Sequence, residues 1–181
     1  MKLIIISAII IGIIIVILSF QNKSKSIKTL EIGEKIPSFT LLNQDSISLS
    51  INDSIGIKNI VIYFYPKDDT PGCTKEACSF RDEFEEFGNL DALVIGISSD
   101  SPTSHKNFIK KYNLPFALLS DPENKVRNMF GVKSDLLGLI PGRVTFVVDK
   151  SGVVQYIFDS QLNSIKHVEK AKEVLEKMKQ S

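Results

Sequence analysis

The chain has 181 residues, of which 43% are hydrophobic and 24% are charged, so it is long enough for one globular domain with an additional segment. Lys and Arg total 22 against 21 Asp and Glu, and a net charge of +1 gives no indication of nucleic acid as a partner. With only two cysteines, the chain is not a small disulfide-stapled scaffold. The significance of these cysteines therefore depends on the residues around them.

The N-terminus contains an uncharged, isoleucine-rich run over residues 3–20. A helix of that length spans roughly 27 Å, close to the hydrocarbon thickness of a bilayer. We therefore expect residues 1–20 to be a single-pass membrane anchor, followed by a polar linker over residues 21–29. The alternative is a cleaved signal peptide, which would make the protein secreted or periplasmic. Lysines flank both ends of the run, so the sequence does not indicate an orientation in the membrane.

Residues 30–181 are predicted to form one domain in which strands and helices alternate. After an extended segment over residues 30–42, the patterns predict strands at 59–65, 92–98, 115–119, 144–148 and 153–158, and helices at 74–87, 101–112, 122–130 and 164–179. The last two strands form a hairpin with Gly152 in its turn. This order predicts an α/β fold of the thioredoxin-like kind, with a central mixed sheet flanked by helices.

Cys73 lies where a buried strand ends and a helix begins. The strand stops at Pro66, and the intervening loop contains Thr70, Pro71 and Gly72. A thiol at the start of a helix meets free backbone N–H groups and the positive end of the helix dipole, and both favour the reactive thiolate. Thr70 can present a hydroxyl to the sulfur or to a bound oxygen. Arg143, at the start of a predicted core strand, is a candidate cationic partner.

Cys78 follows Cys73 by five positions in the same predicted helix. In an ideal helix this spacing separates the two Cα atoms by roughly 8.5–9 Å. A disulfide requires a Cα separation of less than about 7 Å. The two cysteines can therefore pair only if the first turns of the helix unwind, which would make the pair a switch.

The residues Pro66, Thr70 and Cys73 together resemble the Pro-x-x-x-Thr-x-x-Cys motif of the peroxiredoxins. The longer stretch from Phe64 to Cys78 resembles the bacterioferritin-comigratory-protein or peroxiredoxin Q subfamily, and the similarity extends over residues 30–179. This resemblance implies that Cys73 is the peroxidatic cysteine and Cys78 the resolving one. It also implies that Pro66 shields the pocket, that Thr70 hydrogen-bonds the peroxide and that Arg143 supports both thiolate and oxygen.

The resemblance further implies a thiol-dependent peroxidase that reduces hydrogen peroxide and organic hydroperoxides. The cysteine sulfenic acid would become an intramolecular disulfide, and thioredoxin or a glutaredoxin-like dithiol would restore both thiols. It implies a monomer, and it implies no cofactor or metal. The membrane segment over residues 3–20 is not typical of the subfamily.

Two other classes of protein stay open on the residues alone. A membrane-anchored copper-delivery protein of thioredoxin-like fold would pair the cysteines with a histidine, and His105 and His167 are available. Both histidines are more simply interpreted as surface or amphipathic-helix residues. A thiol–disulfide oxidoreductase acting on proteins normally has a Cys-x-x-Cys motif, which is absent. A purely structural or binding role would require an unreactive Cys73.

Overall fold

A seven-stranded mixed sheet forms the centre of the protein, whose structure is a computed structural model that describes residues 29–135 and 140–180. Its strands are β1 (Thr40–Asn43), β2 (Ser48–Ser50), β3 (Asn59–Phe64), β4 (Ala92–Ser98), β5 (Ala117–Ser120), β8 (Val144–Val148) and β9 (Val154–Asp159), in the spatial order β2-β1-β5-β4-β3-β8-β9. Strands β3, β4 and β5 are parallel, while β1, β2, β8 and β9 join by antiparallel pairing. A separate short ribbon pairs β6 (Ser134–Asp135) with β7 (Ile140–Pro141).

Five α-helices accompany the sheet in the described part of the chain: α1 (Pro71–Asp82), α2 (Phe84–Asn89), α3 (Pro102–Tyr112), α4 (Lys125–Met129) and α5 (Ser164–Gln180). A 3-10 turn covers Ile51–Asp53. Helix α1 packs on α5, and α5 also contacts β8 and β9. This architecture confirms the predicted thioredoxin-like fold with a mixed sheet flanked by helices.

The central strand β3 is buried on both faces because its residues alternate between two hydrophobic cores. Val61 and Tyr63 face the core that contains helices α1, α3 and α5, whereas Ile60, Ile62 and Phe64 face the core that contains α4. Each of these five side chains is at most 1% exposed. The near-continuous run of β-branched and aromatic residues in this strand is the pattern expected when helices cover both faces of a sheet.

Most predicted elements are confirmed, including the β8–β9 hairpin with Gly152 at a φ of +82°. The helix predicted over 74–87 begins earlier, at Pro71, and breaks at Glu83, whose φ of −102° and ψ of 10° depart from helical values. The extended segment predicted over residues 30–42 leads into β1, which forms a hairpin with β2 and pairs antiparallel with β5. Such edge pairing depends on a distant strand, which local periodicity does not reveal.

The hydrophobic segment over residues 3–20, predicted to be a membrane helix, lies outside the described residues. Among residues 29–135 and 140–180, no helix has the length and apolar character needed to cross a bilayer.

Candidate active site

The first turn of α1 carries Cys73 and opens directly after the β3 loop. Thr70 caps the helix with extended dihedrals (φ −89°, ψ 150°), and Pro71 occupies the first helical position, where its fixed φ suits a helix start. The first helical hydrogen bond runs from the Thr74 amide to the Thr70 carbonyl at 2.8 Å. The amides of Gly72 and Cys73 precede it, so they have no carbonyl one turn earlier to bond. The sulfur therefore lies where unpaired amides favour negative charge.

Arg143 provides the positive charge beside this sulfur. Its Nη2 donates to the Cys73 Sγ at 3.3 Å, and both side chains are buried, at 3% and 1% exposure. The sheet explains the approach, because Arg143 directly precedes β8 and Val144 pairs with Phe64 at the end of β3. The structure thus places the Arg143 guanidinium beside the Cys73 sulfur.

Gly72 gives the guanidinium room to cross the start of the helix. A Cβ atom at this position would lie 3.1 Å from Arg143 Nη2, which is tighter than ordinary van der Waals contact. The glycine in the Pro71-Gly72-Cys73 turn thus has a packing reason, since its φ is not in the left-handed region.

Thr70 and Pro66 border the loop before the helix, and both are partly exposed. The Thr70 hydroxyl donates to the Lys67 carbonyl at 3.0 Å. Its oxygen keeps acceptor capacity for a further donor, since a hydroxyl has two lone pairs. Thr70 thus makes its own hydrogen bond within the loop, and the structure shows none from its hydroxyl to the Cys73 sulfur within the described residues.

Cys78 lies farther along α1, is partly exposed and carries a free thiol, as does Cys73. Both cysteines belong to one continuous helix, so the geometric argument from the sequence applies to the structure. In this reduced form the two sulfurs are not bonded.

Glu76, which the sequence reasoning missed, extends the site inward from Arg143. The carboxylate is fully buried, and its Oε2 accepts a short hydrogen bond from Arg143 Nη1. Burial raises the pKa of Glu76 to about 8, although the attraction of Arg143 lowers it. For Arg143, the attraction of Glu76 and Cys73 outweighs burial and raises its pKa.

His167, on α5, completes this cluster. Its Nδ1 lies 2.8 Å from Thr145 Oγ1 and 3.6 Å from Glu76 Oε1, and its Nε2 lies 2.9 Å from the Ser160 carbonyl oxygen. Burial lowers the pKa of His167 to about 4. His167 lies on an amphipathic helix, as one of the two interpretations expected, but the interpretation as a surface residue is wrong, because it is 0% exposed.

A sequence signal for these two residues existed. His167 falls on the apolar stripe of α5, three positions after Ser164 and four before Ala171, which are both buried. Glu76 likewise lies three positions after Cys73 and four before Phe80 on the buried face of α1. A polar residue within an apolar stripe predicts a buried partner, although it does not identify that partner.

A second buried cluster fixes the loop between β3 and α1. Asp68 accepts hydrogen bonds from Tyr65 Oη at 2.7 Å, from Ser104 Oγ at 2.8 Å and from His105 Nδ1 at 2.9 Å. The Asp68 amide donates to Asp100 Oδ2 at 2.9 Å. His105 is 0% exposed, so the surface interpretation of this histidine is also wrong. The cluster ties the active-site loop to α3.

Arg127, on α4, was missed by the sequence reasoning. Its guanidinium donates to the Gly142 carbonyl at 2.9 Å and to the Tyr65 carbonyl at 3.0 Å, which joins the residues next to Arg143 to the end of β3. Burial lowers the pKa of Arg127 to about 10, against the attraction of Asp121 and Cys73.

No group of three or more His, Cys, Asp or Glu side chains in residues 29–135 and 140–180 is arranged to hold a metal ion. Each histidine contacts a single buried carboxylate, Asp68 for His105 and Glu76 for His167.

Comparison with known proteins identifies the family. Residues 32–157 match the family model described as AhpC/TSA family. The chain is 52% identical over 146 residues to a chloroplastic peroxiredoxin Q from Populus jackii, covering 81% of this chain and 68% of that protein. Among solved structures, Mycobacterium tuberculosis peroxidoxin BcpB superimposes with a TM-score of 0.77 at 34% identity, covering 82% and 98% of the two chains. A structure of Xanthomonas campestris bacterioferritin comigratory protein, studied for its alkyl peroxide reduction activity, gives a TM-score of 0.66 at 31% identity, covering 78% and 90%.

These similarities agree with the geometry of the site, in which a buried cysteine at a helix start has an arginine beside its sulfur. The chain belongs to the AhpC/TSA family, with the peroxiredoxin Q proteins as close relatives, and it is an oxidoreductase of the peroxidase type.

Proposed function

We propose that this protein reduces hydroperoxides through attack by Cys73, followed by resolution of the oxidised cysteine by Cys78. The observation that carries this proposal is the Cys73 sulfur at the first turn of α1, with Arg143 Nη2 at 3.3 Å. A helix start and a guanidinium both stabilise a thiolate, and the thiolate is the nucleophilic form of cysteine.

In the first step, the thiolate attacks one peroxide oxygen. The S–O bond forms as the O–O bond breaks, the sulfur is oxidised by two electrons, and the second oxygen leaves with a proton as water or an alcohol. Cys73 becomes a sulfenic acid. Arg143 and the free amides of the first turn stabilise the charge that develops on the leaving oxygen. Thr70 orients the bound peroxide, and Pro66 limits the access of water.

In the second step, the Cys78 thiolate attacks the sulfenic sulfur. The S–S bond forms as the S–O bond breaks, and the hydroxide that leaves is protonated to water. Because five helical positions hold two Cα atoms roughly 8.5–9 Å apart, beyond the reach of a disulfide, the first turns of α1 unwind before this step. Helix α1 is therefore the switching element of the cycle.

An external dithiol then reduces the disulfide by exchange and restores both thiols. Thioredoxin or a glutaredoxin-like protein suits this reaction chemically, because each presents a nucleophilic thiolate to a disulfide sulfur. The substrates are hydrogen peroxide and organic hydroperoxides, and the alkyl peroxide reduction by the X. campestris relative supports the organic class. We also propose that the protein acts as a monomer, as its resemblance to the peroxiredoxin Q proteins implies.

The uncharged run over residues 3–20 anchors this peroxidase to a membrane, with residues 21–29 as the polar linker. The length of that run supports the proposal. Retention of the full-length protein in the membrane pellet after alkaline extraction tests it. A mature protein whose mass lacks the first residues would instead show that the segment is a cleaved leader.

The activity test is peroxide consumption by the full-length chain supplied with thioredoxin, thioredoxin reductase and NADPH. We expect Cys73→Ser to abolish turnover and Cys78→Ser to stop it after one equivalent of peroxide. Mass spectrometry of peroxide-treated protein should show a Cys73–Cys78 disulfide only in the chain without substitutions. If this chain leaves peroxide untouched with every dithiol donor, the proposal is wrong.

A further inference from the structure

We propose that Glu76 and His167 hold one proton between them, and that loss of this proton sets the upper pH limit of peroxide reduction at Cys73. The inference rests on the proposed function, because it takes Cys73 as the attacking thiolate. His167 is a positioning residue here, since it reaches the sulfur only through Glu76 and Arg143.

The hydrogen bonds of His167 define its protonation. Its Nε2 lies 2.9 Å from the Ser160 carbonyl oxygen, which can only accept, so Nε2 carries a hydrogen. Its Nδ1 faces Thr145 Oγ1 at 2.8 Å and Glu76 Oε1 at 3.6 Å. The Thr145 hydroxyl donates to a bare Nδ1 and accepts from a protonated one. The site therefore suits both the neutral ring and the imidazolium.

The hydrogen bonds of Glu76 leave one oxygen for a proton. Its Oε2 accepts from Arg143, whereas its Oε1 is buried and receives no hydrogen bond from any described residue. A buried acceptor without a donor is destabilising, more so when it is charged. A proton on Oε1 or on the facing Nδ1 of His167 reduces this penalty, because the two atoms lie 3.6 Å apart and one can then donate toward the other.

The charge of the cluster indicates why the proton matters for Cys73. A thiolate and an ionised Glu76 would share the single positive charge of Arg143, which leaves one negative charge in excess in a buried site. One proton on the Glu76–His167 pair removes that excess. Arg143 is then free to neutralise the thiolate.

Other titratable groups around the cluster are already balanced. Arg127 is attracted to Asp121 as well as to Cys73, and Asp68 is paired with His105. Burial raises the pKa of Tyr63, which faces Glu76 and Cys73 from β3, well above its usual value, so this phenol stays neutral. On α5, Lys172 pairs with Glu83 of the α1–α2 junction near the surface.

The directions of the pKa shifts agree with a single shared proton. Burial raises the pKa of Glu76 to about 8 and lowers that of His167 to about 4, so through the neutral range the pair holds one proton. Above that range the proton leaves, Glu76 competes fully for Arg143, and attack on peroxide slows. We therefore expect the rate of peroxide reduction to fall on the alkaline side of the pH profile, where the Glu76–His167 pair loses its proton.

The experiment measures the rate at which Cys73 reacts with hydrogen peroxide from about pH 5 to about pH 10, in the full-length chain with Cys78→Ser. Rapid quenching with an alkylating reagent and mass spectrometry give the remaining thiol. Adding His167→Gln, which keeps a donor for the Ser160 carbonyl, should move the alkaline limb down by about one pH unit, because it removes the Nδ1 acceptor that faces a proton on Glu76 Oε1. Adding Glu76→Gln should remove that limb.

The matched control is His105→Gln, which changes the other fully buried histidine–carboxylate pair and should leave the alkaline limb in place. The rate at which iodoacetamide alkylates Cys73 should stay constant at alkaline pH, because this reaction breaks no O–O bond. An alkaline limb that stays in place in both His167→Gln and Glu76→Gln would overturn the inference. If Glu76→Gln does not fold, His167→Gln decides alone. If the chain with Cys78→Ser consumes no peroxide, it is the proposed function that fails.

Discussion

Two buried histidine–carboxylate pairs flank the Cys73 segment, and they differ in how their carboxylates are satisfied. In the Asp68–His105 pair, three side chains donate to the carboxylate, and the histidine approaches to 2.9 Å. In the Glu76–His167 pair, the gap is 3.6 Å and one carboxylate oxygen has no donor among the described residues. A saturated carboxylate is suited to fix a loop. A carboxylate with an open oxygen is suited to gain and lose a proton.

The largest expected effect concerns the free energy of unfolding, to which the Asp68–His105 pair contributes. Asp68→Ala leaves His105 buried without its carboxylate partner and releases the loop from the side chains of α3. We expect a loss of about 3 kcal/mol in the free energy of unfolding, the usual penalty for breaking a buried pair. Urea unfolding measures it. Asp45→Ala, which removes an exposed ion pair with Lys106, is the control and should change stability by less than about 1 kcal/mol. Equal losses in the two variants would contradict the structural role of the pair.

The next largest effect concerns the rate of peroxide reduction, on the Glu76 side of the site. Arg143→Gln removes the cation from the Cys73 sulfur, and we expect the rate constant for peroxide to fall about 100-fold, as for the loss of one charge-stabilising donor in other enzymes. Stopped-flow or rapid-quench kinetics measure it. Arg81→Gln changes a partly exposed arginine on the same helix and should leave the rate within about twofold of the original. A small effect of Arg143→Gln would place the main thiolate stabilisation in the helix start.

A smaller effect concerns the pH dependence of stability. Because burial raises the pKa of Glu76 to about 8, the folded state binds a proton that the unfolded state releases, so Glu76 stabilises at low pH and loses that contribution as pH rises. Burial lowers the pKa of His167 to about 4, so this histidine adds stability as the pH rises toward its unfolded pKa of about 6.5. Above that pH its contribution to the free energy of unfolding no longer changes. Glu76 therefore acts alone between about pH 6.5 and about pH 8, where we expect stability to fall by about 2 kcal/mol.

Urea unfolding at a series of pH values checks this third prediction. The slope over that window should disappear in Glu76→Gln and should persist in Asp68→Asn. A slope that persists in Glu76→Gln would assign the titration to another group.

The smallest expected effect concerns the peroxide rate after substitution of Gly72, which packs against Arg143. Gly72→Ala places a Cβ 3.1 Å from Nη2, so the guanidinium must shift by a few tenths of an ångström away from the helix start. We expect a loss of about 1 kcal/mol of transition-state stabilisation, which is about a fivefold lower peroxide rate. Gly88→Ala, in open space within α2, is the matched control and should leave the rate unchanged while stability rises slightly. Equal rates in both variants would show that Arg143 tolerates the methyl group.

By itself the sequence determined the features that depend on near neighbours. The apolar run of β3, the glycine turn before β9 and the stripe of α5 follow from residues within a few positions, and so does the place of Cys73 at a helix start after Pro71 and Gly72. The motif from Pro66 to Cys78 also predicted the family, because it lies in one continuous stretch.

Only the tertiary structure decided which polar groups meet in the core. Arg143 contacts a sulfur 70 positions away and a carboxylate 67 positions away, and His167 reaches the same carboxylate from the last helix. A polar residue in an apolar stripe indicates a buried partner, but the sequence does not show which group that partner is. Its ionisation depends on the charges and hydrogen bonds that distant segments bring to it after the sheet and helices have packed, and local sequence does not encode these.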